Sequence, residues 1–438
     1  MVSGSVSQTW PPPVGDYVLV RGGRLRLTGQ LNFESRFPKL LPLIGDNRFS
    51  RSRKLIRIAH LITGLERGGA QTSLSRLVMA MEKTKFDSIV VALKGPDTLS
   101  RTLAEAGIKI YHLEMGKGPF SLWRGVARLH RILDAYQPHI LQGWMYHANL
   151  MCSLAAQRLS YRPTVIWGIR HSLNRLAREK LTTRWVIKLG AKLSRKADRI
   201  VYNAYSSAAQ HRALGYDAAK EVVIPNGVDC DRFKPSREAR EWLRKEVLGL
   251  EDNQFLVGMV ARFHPMKGHD TFLKAAGMLA RHRKDVKFVL VGKGMDESNQ
   301  VLCSVIEANK VESLVFLLGE RQHIESILPG LDSLCSSSHW GESFPNVVAE
   351  AMACGVPCVV TDVGDSARIV GNAGLVVPPG DSRALADALA KLIEMPEGER
   401  TKLGIRARKR IMAFDQSLVV ERWYSLYEKL LAKGATAV

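Results

Sequence analysis

The 438-residue chain contains no run of 18 or more apolar residues, which is roughly what a membrane-crossing helix requires. Its longest uncharged stretch, residues 140–157, is interrupted by Gln142, His147 and Asn149. The first residues lack the apolar core of a secretory signal, so a cytoplasmic protein is expected. Cysteine is also scarce. The six, Cys152, Cys230, Cys303, Cys335, Cys354 and Cys358, are scattered without a C-x2-C pair. That spacing argues against a structural metal and predicts reduced thiols, mostly in the core. Acidic residues are short in one half only. Residues 1–230 hold 35 Lys and Arg against 15 Asp and Glu, while the remainder is near balance at 28 against 27. An excess confined to one half points to an anionic partner there, beyond what solubility alone explains. Nucleic acid would require interleaved aromatic and basic contacts, which are not found, so an anionic membrane surface is the favoured partner.

The length suggests two domains, and a 46% hydrophobic composition supplies a core for them. Residues 1–53, with Trp10-Pro11-Pro12-Pro13 and Arg21-Gly22-Gly23-Arg24, read as a poorly ordered basic extension. Short apolar runs then alternate with amphipathic stretches. Leu55–Leu61, Val90–Leu93, Ile108–Tyr111, His139–Leu141 and Val165–Trp167 predict parallel strands, with helices such as Leu74–Met81 and Leu122–Tyr136 between them. A second series runs through Phe255–Val260, Phe288–Val291, Leu314–Leu317, Leu331–Leu334 and Cys358–Thr361. The fold class is therefore α/β, with two facing Rossmann-like doubly wound domains and a cleft between them. The expected limits are 54–224 for the first domain, 225–235 for a turn-rich linker, 236–415 for the second domain and 416–438 for a final helix.

One stretch organises the rest: Ser337-Ser338-His339-Trp340-Gly341-Glu342-Ser343-Phe344-Pro345-Asn346-Val347-Val348-Ala349-Glu350, continuing through Gly355-Val356-Pro357. Ser343 is placed to cap a helix that Pro345 begins, and Gly355 and Pro357 stop it. The N-terminus of that helix suits phosphate, and Glu342 and Glu350 flank it as acceptors for sugar hydroxyls. Glu-x7-Glu around Phe-Pro-Asn, followed by Ala-Met-Ala-Cys-Gly-Val-Pro, resembles the donor-site signature of the retaining group 1 (family 4) glycosyltransferases. The resemblance covers about residues 55–433. It implies the GT-B fold, a nucleotide diphosphate sugar as donor and no other cofactor. The Ile224–Asp229 link also matches the family, whose last helix often crosses back to the first domain, as 419–431 could here.

Other residues gain roles from the same resemblance. Gly68 and Gly69 follow the first strand, where paired glycines let backbone approach a ligand, and they resemble the family's glycine loop at the donor phosphate and sugar. Gln71 stands where many relatives carry glutamate. Arg262 and Lys267, five apart in a strand-end loop, can converge on one diphosphate and match the family's Arg-x4-Lys pattern. A metal-independent reaction is expected, with these cations in place of an ion held on an Asp-x-Asp pair. His171 resembles the active-site histidine facing the transferred sugar; His147 competes for that role, and Arg170 is a possible phosphate contact. Arg321 is placed at the nucleotide base, Glu350 at the ribose and Glu342 at the transferred sugar. Backbone around Phe344, Pro345, Asn346 and Val347 would complete the cradle, although Pro345 has no N–H to give.

Arg175–Arg199 reads as one long basic helix in which Leu181, Trp185, Leu189 and Leu193 form a ridge edged by Lys180, Arg184, Lys188 and Lys192. Such a ridge suits an anionic membrane interface or a packed helix with a solvated basic face. The reading is a retaining glycosyltransferase moving a sugar to a lipid-linked or glycan hydroxyl, peripheral on the cytoplasmic face of the membrane. A sugar-nucleotide epimerase on the same fold and a non-catalytic assembly subunit are the alternatives.

Overall fold

Strands covered on both faces must be apolar at nearly every position, as Ile56–Ile62 and Phe255–Val260 are. These two runs lie inside two all-parallel sheets in a computed structural model, which describes residues 55–66, 68–116, 119–173, 176–251 and 253–435. The expected 1–53 extension lies outside the described residues. The first sheet comprises β1 (Ile56–Ile62), β2 (Phe86–Ala92), β3 (Lys109–His112), β4 (Ile140–Trp144), β5 (Thr164–Ile169), β6 (Arg199–Tyr202) and β7 (Glu221–Val223), in the order β3-β2-β1-β4-β5-β6-β7. The second comprises β8 (Phe255–Val260), β9 (Val286–Val291), β10 (Val315–Leu317), β11 (Ser333–Ser336), β12 (Cys358–Thr361) and β13 (Gly374–Val377), in the order β10-β9-β8-β11-β12-β13. Each order reverses once, between β1 and β4 and between β8 and β11. Ligands of such sheets bind outside the carboxyl ends of the strands at that reversal.

The flanking helices include α1 (Gly69–Ala80), α2 (Pro119–Tyr136), α3 (Tyr146–Ala156), α4 (Leu181–Leu193), α5 (Tyr205–Ala213), α6 (Asn346–Ala353) and α7 (Gln416–Ala435). The continuous basic helix expected over Arg175–Arg199 is not formed. Single 3-10 turns at Leu176–Arg178 and Ser194–Lys196 flank α4, and Arg199 begins β6. The break has a local cause. Asp198 donates its N–H to the Val165 carbonyl and accepts the Val165 N–H on its carboxylate, both at 2.8 Å, which draws the chain into the sheet. All six cysteines are free and five are buried.

The last helix closes one face of the first sheet. Val419, Val420, Trp423, Tyr424 and Tyr427 of α7 share a core with Ile58, Ile62, Phe86 and Trp144. Tyr427 donates to Gln142 Oε1 at 2.6 Å, and Tyr424 stacks on Phe86 with centroids 4.4 Å apart. Trp423→Ala should therefore destabilise the protein by about 3–5 kcal/mol in urea denaturation, and a loss below ~1 kcal/mol would place α7 outside the cooperative core.

Burial holds three imidazoles neutral, pushing His60 to about 3 and His211 and His269 to about 4, from an ordinary 6.5. The unfolded chain then binds protons first as pH falls below 6.5, so stability is present above that value and declines towards pH 4. Each imidazole should withdraw on the order of 2 kcal/mol by pH 5. Equal unfolding free energies at pH 7 and pH 5 would contradict this.

Candidate active site

Two helix N-termini lie at the two strand reversals. α1 follows β1 with Gly68 in the cap position, and α6 follows the loop after β11 with Pro345 there. Neither has a side-chain cap or an acidic residue in its first turn, so orphan N–H groups and the dipole favour an anion at each. Ser343 does not cap α6 as the sequence suggested; its Oγ accepts from Asn203 Nδ2 at 3.0 Å instead. A Cβ at Gly68 would meet only the end of the Gln71 side chain, and one at Gly69 would meet nothing within 4 Å. The protein's own packing therefore does not demand a glycine at 69, whereas a closely approaching ligand would.

Glu342 is buried in the loop before α6. Its Oε1 accepts from Lys267 Nζ in a short ion pair and from Ser338 Oγ at 2.8 Å. The pairing brings together two residues assigned from sequence to different parts of the donor. Arg262 lies close by in sequence but is exposed, without a hydrogen bond or ion pair among the described residues. The local field is positive: burial, then Arg262, then Lys267 hold His264 below its ordinary value. Gly364 supports the loop from beneath, at φ 65°, where a Cβ would stand 2.2 Å from the Glu342 carbonyl oxygen. Arg321 is exposed beyond β10 and touches none of these groups.

Glu350, expected at the ribose, has its Oε1 accepting from Arg76 Nη2 of α1 at 2.7 Å, across the cleft. Asn226 in the linker joins the same region. Its Oδ1 accepts from Ser73 Oγ at 3.1 Å and Arg170 Nη1 at 2.9 Å, and its Nδ2 donates to Asn346 Oδ1 at 2.8 Å. The Asn346 side chain is thus committed to the linker, and the Phe344 ring is buried against Phe414. Val347 remains half-buried. Asp365 reaches from the second domain to accept the N–H groups of Tyr205 and Ser206 at 2.8 and 2.9 Å, capping α5, which lacks a cap of its own. Arg76, Asn203 and Asp365 carry no signal in the sequence, because single polar residues on helices and loops form no pattern until the chain folds; Asn226 lies in the Ile224–Asp229 link but has no role assigned from sequence.

His171 lies just beyond β5. Its Nδ1 is 3.2 Å from Tyr146 Oη, its Nε2 is 3.6 Å from Glu179 Oε1, and its carbonyl accepts from Ser207 Oγ at 2.6 Å. Burial lowers its pKa, against the opposing pull of Glu179. His147 is exposed at the start of α3 and makes no hydrogen bond or ion pair among the described residues. Arg170 is not placed to bind phosphate. Its guanidinium is buried, 5.1 Å from the Trp144 ring and 5.5 Å from that of Trp423, and donates to Ile224 O and Asn226. The chain does hold one Asp-x-Asp triplet, Asp229-Cys230-Asp231. It lines a hollow with Ala80 and Glu82 beyond the C-terminal end of α1, a helix length of roughly 18 Å from the glycines, and Asp229 is spent capping Asp231 and Arg232.

Two Rossmann-like domains, each an all-parallel sheet with flanking helices, form the GT-B fold. Residues 67–232 match the model described as Glycosyltransferase Family 4, and residues 241–410 match Glycosyl transferases group 1. The chain belongs to the group 1, family 4 glycosyltransferases. It is 27% identical over 367 residues to the N,N'-diacetylbacillosaminyl-diphospho-undecaprenol alpha-1,3-N-acetylgalactosaminyltransferase of Campylobacter jejuni, covering 81% of this chain and 94% of that one. It is 30% identical over 250 residues to the D-inositol 3-phosphate glycosyltransferase of Saccharomonospora viridis, covering 54% of this chain but only 57% of that enzyme. Anabaena HepE, solved in complex with UDP, superposes with a TM-score of 0.74 at 22% identity, covering 85% of this chain and 100% of HepE, and so shares the fold.

Gly364→Ala should displace the Glu342 loop. At least tenfold lower turnover with an unchanged circular dichroism spectrum is expected, and full activity would mean that the loop position is not needed.

Proposed function

We propose that the protein is a retaining transferase that moves a sugar from a nucleoside diphosphate sugar to a hydroxyl of a lipid-linked glycan. The observation that carries this reading is the pair of uncapped helix N-termini, with Lys267 and Glu342 paired in the loop before the second. The α6 N–H groups, Lys267 and Arg262 would neutralise the departing diphosphate in place of a metal, and such electrostatic stabilisation would supply most of the catalysis. Glu342 would then exchange Lys267 for hydroxyls of the transferred sugar, and Glu350 would exchange Arg76 for the ribose. Gly68 and Gly69 would bring α1 to the donor from the other side, Val347 and its neighbours would complete the cradle, and Arg321 would meet the base. The UDP in the HepE complex supports a uridine donor. No carboxylate is assigned as a covalent nucleophile, so departure of the leaving group and attack by the acceptor are placed on one face of the sugar.

The acceptor assignment draws on the lipid diphosphate in the name of the Campylobacter relative and on one surface of the first domain. Leu129 of α2, Cys152 of α3 and Ile187 of α4 belong to one core, and the outer sides of these helices expose Trp123, Leu154, Leu181, Trp185 and Leu189, with Trp185 72% exposed. Arg128, Arg131, Lys180, Lys188 and Lys192 are exposed on the same helices or beside them. Apolar rings among cations suit an anionic bilayer surface. Among the described residues no helix is long and apolar enough to cross a membrane. A peripheral position on the cytoplasmic face is the corresponding proposal.

The donor is tested by turnover across a panel of nucleoside diphosphate sugars with EDTA present and a lipid extract as acceptor. Lys267→Ala and Arg262→Ala should each raise the barrier by about 2–4 kcal/mol with the fold intact; wild-type rates in both would discard the site. The wild type should sediment with anionic phosphatidylglycerol vesicles at low salt, and Trp123→Ala/Trp185→Ala should weaken this about tenfold or more. Absence of binding by the wild type would remove the membrane assignment.

A further inference from the structure

Behind His171 lies a closed ring of hydrogen bonds whose directions are fixed by chemistry. His211 is fully buried on α5, and its Nδ1 is 2.7 Å from the Ser207 carbonyl, which can only accept. Nδ1 of His211 therefore carries the proton. Burial holds this imidazole neutral at pH 7, so its Nε2 is an acceptor, and the Tyr146 hydroxyl 2.9 Å away must donate to it. With its proton committed, the Tyr146 oxygen can only accept from His171 Nδ1 at 3.2 Å. Ser207 closes the ring by donating from Oγ to the His171 carbonyl. The backbone entering this ring is strained. Met145, immediately before Tyr146, has φ 71° and ψ 169°, a region essentially reserved for glycine. That strain sits at the end of β4, beside the strand reversal, and sets Tyr146 at the first position of α3.

We propose that Tyr146, oriented by His211, is a positioning residue that locks His171 in the Nδ1–H form, so that Nε2 is the ring nitrogen offered to a substrate hydroxyl. The proposal rests on the reading that His171 meets the substrate. Free imidazole side chains favour the opposite tautomer, with the proton on Nε2, which could not accept from a hydroxyl. The lock reverses that preference. Among the described residues, Tyr146, His211 and Glu179 are the titratable groups around the His171 ring, while Tyr202 and Tyr216 surround His211. Glu179, 3.6 Å from Nε2, is placed to pair with that nitrogen when a proton arrives there.

The test is nitrogen-15 NMR of the imidazole rings in the full chain at a pH where His171 is neutral, with no ligand needed. Wild type should show the proton on Nδ1 of His171. Tyr146→Phe removes the acceptor and should return the ring to mainly Nε2–H. His211→Phe should do the same by another route, because Tyr146 is then free to donate to Nδ1, and it serves if the first variant folds poorly. Using the nucleoside diphosphate sugar selected by the panel, Tyr146→Phe should lower kcat about tenfold at unchanged donor KM, and should add nothing to His171→Ala. Retention of Nδ1–H in both variants overturns the lock. A switched tautomer with unchanged kcat leaves the lock standing and overturns the part given to His171 in the reaction.

Discussion

Asn226 is the contact on which the arrangement of the cleft depends. One buried carboxamide accepts hydrogen bonds from α1 and from the end of β5, and donates one to the first residue of α6. An amide can serve both sides at once: its oxygen accepts from Ser73 and Arg170 while its NH2 donates to Asn346 Oδ1. The two helix N-termini are thereby referred to a common point in the linker. Arg170, whose charge is buried between two tryptophan rings and has no carboxylate partner among the described residues, is supported by the same amide oxygen. A buried cation left without such a partner would be costly, so the linker, the end of β5 and α7 are tied to one another energetically as well as in space.

The charges that face the cleft are largely matched among themselves. Lys267 holds Glu342 and Arg76 holds Glu350, in one case within the second domain and in the other across the gap. Each pair is partly buried, so neither partner could be removed without leaving the other poorly solvated. A diphosphate with sugar and ribose hydroxyls carries the complementary set, anions for the cations and donors for the carboxylates. Exchange of partners would therefore conserve the number of satisfied charges. Arg262 is the exception, exposed five residues before Lys267 in sequence and without a hydrogen bond or ion pair among the described residues.

The sheets were legible in the sequence because central strands of a doubly wound fold are buried on both faces and read as apolar runs. The strands that escaped, β6, β7 and β13, open on Arg199, Glu221 and Gly374, and each holds an apolar run of no more than three residues. A serine three residues before a helix resembles a cap locally, and only the folded chain supplies Asn203 as the partner of Ser343. Glu342, Lys267 and Gly69 lie in stretches that a motif marks out in the sequence, and the Lys267–Glu342 pair is formed in the structure. Arg76 and Tyr146 lie in none. Their significance lies in what they meet, 274 residues away for Arg76 and 25 and 65 for Tyr146.

Closure of the cleft and the state of His171 converge on one short helix. Asp365 of the second domain caps α5 through Tyr205 and Ser206, and the next residue, Ser207, bonds the His171 carbonyl while its own carbonyl orients His211. A helix whose first turn lacks a cap frays, and restoring one is worth about 1 kcal/mol. Here the cap comes from the opposite domain, so the first turn of α5 is held most firmly when the domains are together. Asp365 N–H in turn bonds the carbonyl of Ser343, beside Glu342. The carboxylate next to Lys267 and the imidazole beyond β5 are thus joined through Ser343, Asp365 and the first turn of α5. An opening of the cleft would loosen both ends of that chain at once.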